Sequence, residues 1–243
     1  MTNALTLSLL AVSIAFHATN AVAASVIQTY QANYGVFYKD QWVGNSEFSV
    51  TQNNTRSTYT FKSTSRFRGV LSIISPNPIS EVSEFTYDQG KIQPLVYSYD
   101  DGTWKGDGKY RVEFDWDNLV ATTTLAYETI KSELTLGILD RGSMQVALML
   151  DMQASKRKIY TLMDESGVSI YEYSTDGEEL LETPLGTIIT QKLIQQKQGS
   201  SRRTIIWVAQ ELNYLPIRIE QQRNGAAQAS FNLQTIEWLG GNE

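Results

Sequence analysis

Apolar and polar side chains alternate along much of this chain with a period of two residues. In the first such stretch, residues 26–38, the even positions are mostly apolar or aromatic and the odd positions are largely polar. Across residues 109–116 the alternation has no exception, since every second side chain is apolar and the others are charged. This pattern is typical of an antiparallel sheet with one buried and one solvated face.

Four tripeptides that end in glycine separate strand-like runs at hairpin spacing. They are Asp88-Gln89-Gly90, Glu165-Ser166-Gly167, Thr175-Asp176-Gly177 and Arg223-Asn224-Gly225. Gly, Asn and Asp readily take the positive φ that tight hairpins need. With the alternation, these turns predict roughly a dozen strands. Their approximate cores are 26–38, 42–50, 57–66, 80–87, 92–100, 109–116, 119–127, 158–164, 168–174, 186–195, 203–209, 215–222 and 227–238.

One segment departs from the two-residue period. Asp140 can cap a helix from residue 141 to about residue 153 through its carboxylate. Apolar side chains then recur at helical spacing, and three of the chain's five methionines lie here, namely Met144, Met149 and Met152. Adaptable binding surfaces over-use methionine because its side chain is flexible. Two interpretations remain open: the helix is ordinary core that fills the open side of the sheet, or it contacts a ligand.

The first residues have the form of an export signal. Residues 4–16 are apolar and uncharged, and this stretch is too short to cross a bilayer, which takes about 20 residues. Ala21-Val22-Ala23 follows with the small-x-small pattern that signal peptidase cleaves. We expect residues 1–23 to be a signal peptide cleaved after about Ala23, and residues 24–243 to form a single β-rich, soluble, periplasmic domain without a transmembrane span.

Composition narrows the chemistry available to the domain. Its sequence holds neither histidine nor cysteine, because the one histidine is His17 and the cysteine count is zero. This excludes Ser-His and Cys-His nucleophiles, thiol redox chemistry, and zinc or haem sites built on imidazole or thiolate. The net charge is -6 and no long basic block occurs, so a nucleic-acid partner is not expected. We predict a protein that is not an enzyme and needs no cofactor.

Carboxylates offer the one alternative route to catalysis. Asp115 and Asp117 share a strand face with Glu113, and paired carboxylates can divide acid and base roles in glycan hydrolysis. Lys109 and Arg111 precede them on the same face, so a solvated, mixed-charge surface is the simpler interpretation.

The loop 100–108 carries three aspartates among glycines. Calcium-binding loops need acids at alternating positions and a glutamate at the twelfth position, where this chain has Arg111. The mismatch favours a solvated hairpin tip, and we predict no metal site.

Several short segments, in this order along the chain, are shared with a known family. They are Tyr30-x-Ala32-x-Tyr34-Gly35-Val36 with Gly44, Phe114-Asp115-Trp116, Leu139-Asp140-Arg141-Gly142-Ser143, Thr183-Pro184-Leu185-Gly186, Trp207-Val208-Ala209, and Tyr214-Leu215-Pro216-Ile217-Arg218-Ile219. Taken together they resemble a family of exported bacterial proteins catalogued as domain of unknown function 3108.

The likeness covers almost the whole domain, with two departures. Family members often carry an Asp after the Trp motif, where this chain has Gln210-Glu211, and an Asp-hydroxyl pair at the helix start, which Gly142 interrupts here. The resemblance implies an exported β-rich protein related in architecture to lipoprotein carriers of the envelope. It implies no catalytic residues.

The aromatic content and the strand count together predict an internal site. Thirteen Tyr, eight Phe and five Trp can pack around a bulky apolar ligand. Roughly a dozen strands exceed what closes a filled eight-stranded barrel. We therefore predict a β-dominated fold: a strongly curved antiparallel sheet or open barrel, with the helix near 141–153 on its concave side. The expected ligand-binding side chains are Met144, Leu148, Met149, Met152, Tyr110, Phe114 and Trp116.

Three functions fit these features. The first is a periplasmic, non-enzymatic protein that binds a lipid, an acyl chain or another amphipathic ligand. The second is a structural or protein-interaction factor of envelope assembly. The third is a carboxylate-dependent glycan hydrolase that uses Glu113, Asp115 or Asp117.

Overall fold

The computed structural model describes residues 26–156, 158–197 and 201–240, so the predicted signal peptide lies outside the described residues. Within them the chain forms fifteen strands, two α-helices and a short 3₁₀ turn. The strands are β1 (Tyr30–Tyr38), β2 (Gln41–Asn53), β3 (Thr58–Phe67), β4 (Ile79–Asp88), β5 (Lys91–Asp100), β6 (Tyr110–Asp115), β7 (Val120–Leu125), β8 (Thr129–Glu133), β9 (Ile138–Leu139), β10 (Ile159–Asp164), β11 (Gly167–Thr183), β12 (Gly186–Lys197), β13 (Arg202–Ala209), β14 (Leu215–Arg223) and β15 (Ala226–Trp238). The helices are α1 (Leu71–Ile74) and α2 (Arg141–Gln153), and the 3₁₀ turn is Gln210–Leu212.

All of these strands belong to one sheet. Its order is β8-β7-β6-β5-β4-β3-β2-β1-β15-β14-β13-β12-β11-β10-β9. Neighbouring strands are antiparallel except β9 and β10, which run parallel. The first and last strands along the chain therefore pair at the middle of the sheet, and β8 and β9 form its two edges. The predicted class, a β-dominated open sheet with one main helix, is confirmed.

Alternating side chains build these strands as predicted. In β6, Tyr110, Val112 and Phe114 are buried while the residues between them are exposed. The turn residues Asp40, Gln89 and Asn224 take positive φ values of 64°, 47° and 51°, which suits the twist of two-residue hairpins.

The structure corrects the predicted strand set in three places. Thr175-Asp176-Gly177 was expected to be a hairpin turn, and this prediction is wrong. Strand β11 runs through it, and the register with β12 shifts between Thr175 and Glu178. The segment is a β-bulge, in which glycine also supplies positive φ. Strands β8 and β9 were not predicted.

Helix α2 begins where the sequence predicted. The Asp140 carboxylate accepts a hydrogen bond of 2.8 Å from the Ser143 N–H. In return the Ser143 hydroxyl accepts one of 3.0 Å from the Asp140 N–H. This reciprocal capping box satisfies backbone groups that the first helical turn would leave unpaired. The capping acid and hydroxyl act together although Gly142 stands between them.

The sheet curves around α2, so the core has three parts. In the first, Val146, Met149 and Leu150 of α2 pack against residues that include Phe61 and Leu233. In the second, the helix's other side packs against strands β10 to β13. That part consists of Leu139, Met144, Leu148, Met152, Tyr160, Leu162, Tyr173, Leu193, Ile206 and Val208.

The third part of the core, which we call the seam, does not involve the helix. Ile138 of β9 and Met163 of β10 pack there against Tyr97, Val112 and other buried side chains of β5 to β7. The seam brings the two ends of the sheet together through side chains rather than through strand pairing.

Candidate functional site

A cavity of about 620 Å³ lies between α2 and the concave face of the sheet. Its wall is mostly apolar. The apolar and aromatic side chains that line it are Val36, Phe37, Tyr38, Val43, Phe48, Phe67, Leu71, Ile79, Tyr99, Met144, Leu148, Met149, Leu162, Tyr171, Tyr173, Ile206, Val208, Tyr214, Pro216, Ile219, Ala229 and Phe231.

The cavity reaches one end of the sheet, which we call the upper rim. The upper rim holds the β1–β2 hairpin, the α1 segment between β3 and β4, and the β5–β6 loop, because these connections all lie at the same end of consecutive antiparallel strands. Tyr38, Phe67 and Leu71 line the cavity at this rim, and Val208 and Pro216 line its inner part. The cavity therefore extends from the inner part of the sheet to the upper rim.

The structure places the predicted ligand-binding residues in three locations. Met144, Leu148 and Met149 line the cavity. Met152 is buried in the second core part, away from the cavity wall. Tyr110, Phe114 and Trp116 contribute to the seam, where the Trp116 indole N–H donates a 2.6 Å hydrogen bond to the Pro94 carbonyl.

Glu81 places a carboxylate on the cavity wall. The Tyr97 hydroxyl donates to its Oε1 at 2.6 Å, and the Ser63 hydroxyl donates to its Oε2 at 3.4 Å. Burial raises the pKa of Glu81, and the two hydroxyls and the charge of Arg141 oppose that rise. Glu81 is thus a hydrogen-bonding group in a partly apolar wall.

Arg141, the first residue of α2, adds a positive charge to the same wall. Its Nη2 donates to both carboxylate oxygens of Glu165, at 3.1 Å and 3.0 Å. It also lies 3.9 Å from the buried carboxylate of Asp164. Tyr99 and Tyr171 line the cavity as well. Burial raises the pKa of both hydroxyls, and the charge of Arg141 opposes that rise. These residues with Glu81 form what we call the polar pole.

The polar pole was not predicted from the sequence, although a signal was present. Glu81 falls in phase with Ser83 and Phe85 of β4, and the latter two are fully buried. The alternation of side chains along a strand therefore predicts that Glu81 points to the inner face of the sheet.

Beneath the polar pole lies a second acid, Asp140, which is fully buried. Burial raises its pKa to about 7, with a smaller contribution from the charge of Glu81. Hydrogen bonds from the Ser143 N–H and from the hydroxyls of Ser83 and Ser143 work in the opposite direction. Asp140 fixes α2 to β4, since the Ser83 hydroxyl donates to it at 2.8 Å.

Of the carboxylates considered for hydrolysis, Glu113 and Asp115 lie on the exposed face of β6. Asp117 was expected on the same strand face, and this prediction is wrong, because the strand ends at Asp115 and Asp117 lies in the turn that follows. Glu113 forms an ion pair of 3.0 Å with Arg111. Asp115 accepts hydrogen bonds from the side chain and the backbone N–H of Asn118, at 2.8 Å and 3.0 Å, and these lower its pKa. An acid whose pKa is lowered is a poor proton donor at neutral pH.

The carboxylate of Asp101, in the loop 100–108, accepts its hydrogen bonds from residues of the same loop. Its oxygens accept hydrogen bonds from the backbone N–H groups of Thr103 and Gly108 and from the Thr103 hydroxyl. Asp100 pairs with Lys109 at 2.8 Å. In the described part of the chain, no group of three or more acidic, His or Cys side chains is arranged to hold a metal ion.

Among the described residues, neither helix is long and apolar enough to cross a bilayer. The site as a whole offers apolar volume, one end with hydrogen-bonding and charged groups, and an opening at the upper rim. Such concave apolar sites with a few polar groups are typical of small-molecule binding.

These features define a class: an open, curved β-sheet wrapped around one helix, with an internal cavity. The chain belongs to the family described as "Protein of unknown function (DUF3108)", whose model matches residues 29–231. The resemblance seen in the sequence is thereby confirmed. No curated protein sequence matches the chain.

A solved structure with a TM-score above 0.5 supports the fold, and two further structures are similar at lower scores. A β-barrel-like protein of domain of unknown function DUF1849 from Brucella abortus is 11% identical, with a TM-score of 0.54, over 88% of this chain and 99% of the other. MucB is 8% identical, with a TM-score of 0.37, over 89% of this chain and 55% of its own. A protein with a YmcC-like fold from Bacteroides fragilis is 10% identical, with a TM-score of 0.33, over 86% and 96%.

Proposed function

We propose that this protein is an exported, non-enzymatic binding protein of the periplasm whose cavity holds a lipid or an acyl chain. The observation that carries the proposal is the apolar cavity of about 620 Å³ between α2 and the sheet. Its volume falls within the roughly 300–1,000 Å³ common for ligand sites. The polar pole suits the headgroup of an amphipathic ligand, because hydrogen-bonding groups there meet an otherwise apolar wall.

The proposal is tested with two methionines of the same helix. Met144 lines the cavity and Met152 does not, yet both belong to the second core part. In displacement of a fluorescent fatty acid, Met144→Gln should weaken binding about tenfold, because a polar group then faces the acyl chain. Met152→Gln should lower the melting temperature and leave the affinity of the folded protein unchanged.

Native mass spectrometry of protein taken gently from the periplasm gives the independent measurement. We expect an added mass that disappears on denaturation and corresponds to a lipid. A protein that carries no added mass and also fails to bind the fluorescent fatty acid would refute the proposal. The same spectrum tests the expected cleavage after Ala23.

A protein-interaction role in the envelope is the second candidate, favoured by one surface. Leu180 and Ile189 face each other across β11 and β12 and are exposed. A photo-crosslinker at Leu180 should capture a defined periplasmic protein if this role holds, and none if the role is ligand binding alone.

We also propose that the protein does not catalyse a reaction. Replacing Glu113, Asp115 and Asp117 by their amides should leave binding and stability nearly unchanged, since these side chains are solvent-exposed. Hydrolysis of a cell-wall glycan by the wild type that the triple variant loses would instead support the hydrolase hypothesis.

A further inference from the structure

Four large apolar side chains project from the upper rim. Val70, Ile73, Ile74 and Trp104 are 74%, 71%, 63% and 81% exposed. The first three belong to α1 and the residue before it, and Trp104 lies in the β5–β6 loop. Together they are the rim patch. Exposed apolar side chains of this size, grouped on one side of a protein, mark an interaction site.

Two hydrogen bonds hold the parts of the rim patch together. The Ser75 hydroxyl donates to the Asp101 carbonyl at 3.1 Å. The Asn77 N–H donates to the Gly102 carbonyl at 3.1 Å. A Cβ on Gly102 would lie 2.3 Å from the Asn77 carbonyl oxygen, so the two segments are in close contact. The patch is therefore one unit formed by two connections.

The rim patch is continuous with the cavity mouth. Leu71, in the same turn as Ile73 and Ile74, lines the cavity. So do Phe67 and Ile79, which end β3 and begin β4 on either side of that turn. A guest that leaves the cavity at this rim passes directly along the patch.

Basic residues flank the patch in a chain whose net charge is -6. Arg66, Arg68 and Lys105 are exposed beside it. Two of the nearby acids are engaged, since Asp100 pairs with Lys109 and Asp101 accepts hydrogen bonds from its own loop. Apolar side chains among Lys and Arg are the composition of segments that lie in the interface of an anionic bilayer.

We propose that the rim patch docks on an anionic lipid surface and opens the cavity toward the membrane. This inference rests on the proposed function, because it explains how an apolar guest would pass between bilayer and cavity without crossing water. Val70, Ile73, Ile74 and Trp104 enter the acyl-chain boundary, while Arg66, Arg68 and Lys105 contact the headgroups.

Flotation with vesicles tests the proposal. Wild-type protein should float with vesicles of phosphatidylcholine and phosphatidylglycerol (7:3), and less with pure phosphatidylcholine. The triple variant Val70→Ser, Ile73→Ser, Ile74→Ser should reduce partitioning at least about 30-fold, because three apolar side chains no longer enter the bilayer. Lys105→Glu should weaken binding to the anionic vesicles by at least about fivefold.

The matched control replaces three exposed apolar side chains at the opposite end of the sheet. Leu180, Leu185 and Ile189 are 66%, 45% and 63% exposed and lie in the β11–β12 hairpin. Their triple serine variant should float like the wild type. Wild-type protein that does not float, or a control variant that loses binding as strongly as the rim variant, would overturn the proposal.

Failure of this inference can be told apart from failure of the proposed function. The rim variant should still bind the fluorescent fatty acid, since its substituted side chains are not among those that line the cavity. Protein that holds a lipid but does not float keeps the binding function and refutes membrane docking. Protein that floats but holds no lipid supports docking and refutes ligand binding.

Discussion

At the scale of single residues, Asp140 links the stability of the fold to pH. Its pKa of about 7 lies above the ordinary value of 3.8 because the carboxyl is buried. The folded state therefore holds the proton more tightly than the unfolded state. The contribution of Asp140 to the free energy of unfolding is fully present below a pH of about 4, and it is lost as the pH rises to about 7.

The Asp140→Asn variant should remove this dependence. Between pH 5 and pH 8 the free energy of unfolding of the wild type should fall by about 3 kcal/mol more than that of the variant. Urea denaturation at the two pH values measures the difference. Glu81, whose pKa is also raised, remains in both proteins, so the difference reports on Asp140 together with its interaction with Glu81. Equal pH dependence in both would show that Asp140 is ionised throughout.

Gly142 matters because α2 approaches the sheet closely there. A Cβ at this position would lie 2.7 Å from both Phe61 Cδ1 and Ser83 Cβ. Helix propensity favours Ala by about 1 kcal/mol, but overpacking a rigid core costs about 1–3 kcal/mol.

We therefore expect Gly142→Ala to lower the melting temperature. The control Gln153→Ala, at the exposed end of the same helix, should leave it nearly unchanged. Stabilisation by Gly142→Ala would mean that helix and sheet separate without cost.

Capping and helical spacing, which are local properties, predicted Asp140 as the helix cap and placed Met144, Leu148 and Met149 on the apolar side of the helix. These three methionine and leucine side chains do line the cavity, and ligand binding by them stays a prediction. The two-residue alternation assigned Tyr110 and Phe114 correctly to the buried face. It had no means to show that this face meets β9 and β10 in the seam, because that contact depends on how the sheet curves.

At the scale of elements, the seam closes the fold without strand pairing, so it should be sensitive to lost volume. Met163 is fully buried there. Met163→Ala should lower the free energy of unfolding by about 2–5 kcal/mol, measured by chemical denaturation. The control Val168→Ala, on the exposed side of β11, should cost less than about 0.5 kcal/mol. A similar small effect for both would show that the seam contributes little.

Strands β8 and β9 and the bulge in β11 were not predicted, and each omission has a physical reason. Strand β8 is almost entirely exposed, so neither of its faces carries an apolar signal. Strand β9 has only two residues. Asp-Gly occurs both in hairpin turns and in β-bulges, so the sequence of residues 175–177 does not distinguish the two. Only the pairing with β12 on both sides of the segment shows that it is a bulge.

At the scale of the whole molecule, strand position in the sheet should set amide protection. β1 and β15 lie at its middle, and β8 and β9 lie at its edges. Hydrogen exchange followed by mass spectrometry should show the slowest exchange in β1 and β15 and the fastest in β8, whose outer edge has no partner strand in the described sheet. Protection of β8 equal to that of β1 would contradict this order.

The curved, open sheet could be predicted from the number of alternating segments, but the strand order could not. Consecutive hairpins predict neighbours along the chain. Nothing local in β1 or β15 indicates that these two strands pair, since Asn33 and Thr235, which share a side-chain hydrogen bond, are 202 residues apart.

That central pairing has a kinetic consequence. The meander from β1 to β8 can form early from local contacts, yet one edge of β1 stays unpaired until β15 has been synthesised and pairs with it. Closing so large a loop is slow, and an open strand edge invites aggregation in the meantime. Production of this protein should therefore depend on chaperones that cover the open edge of β1 until β15 pairs with it.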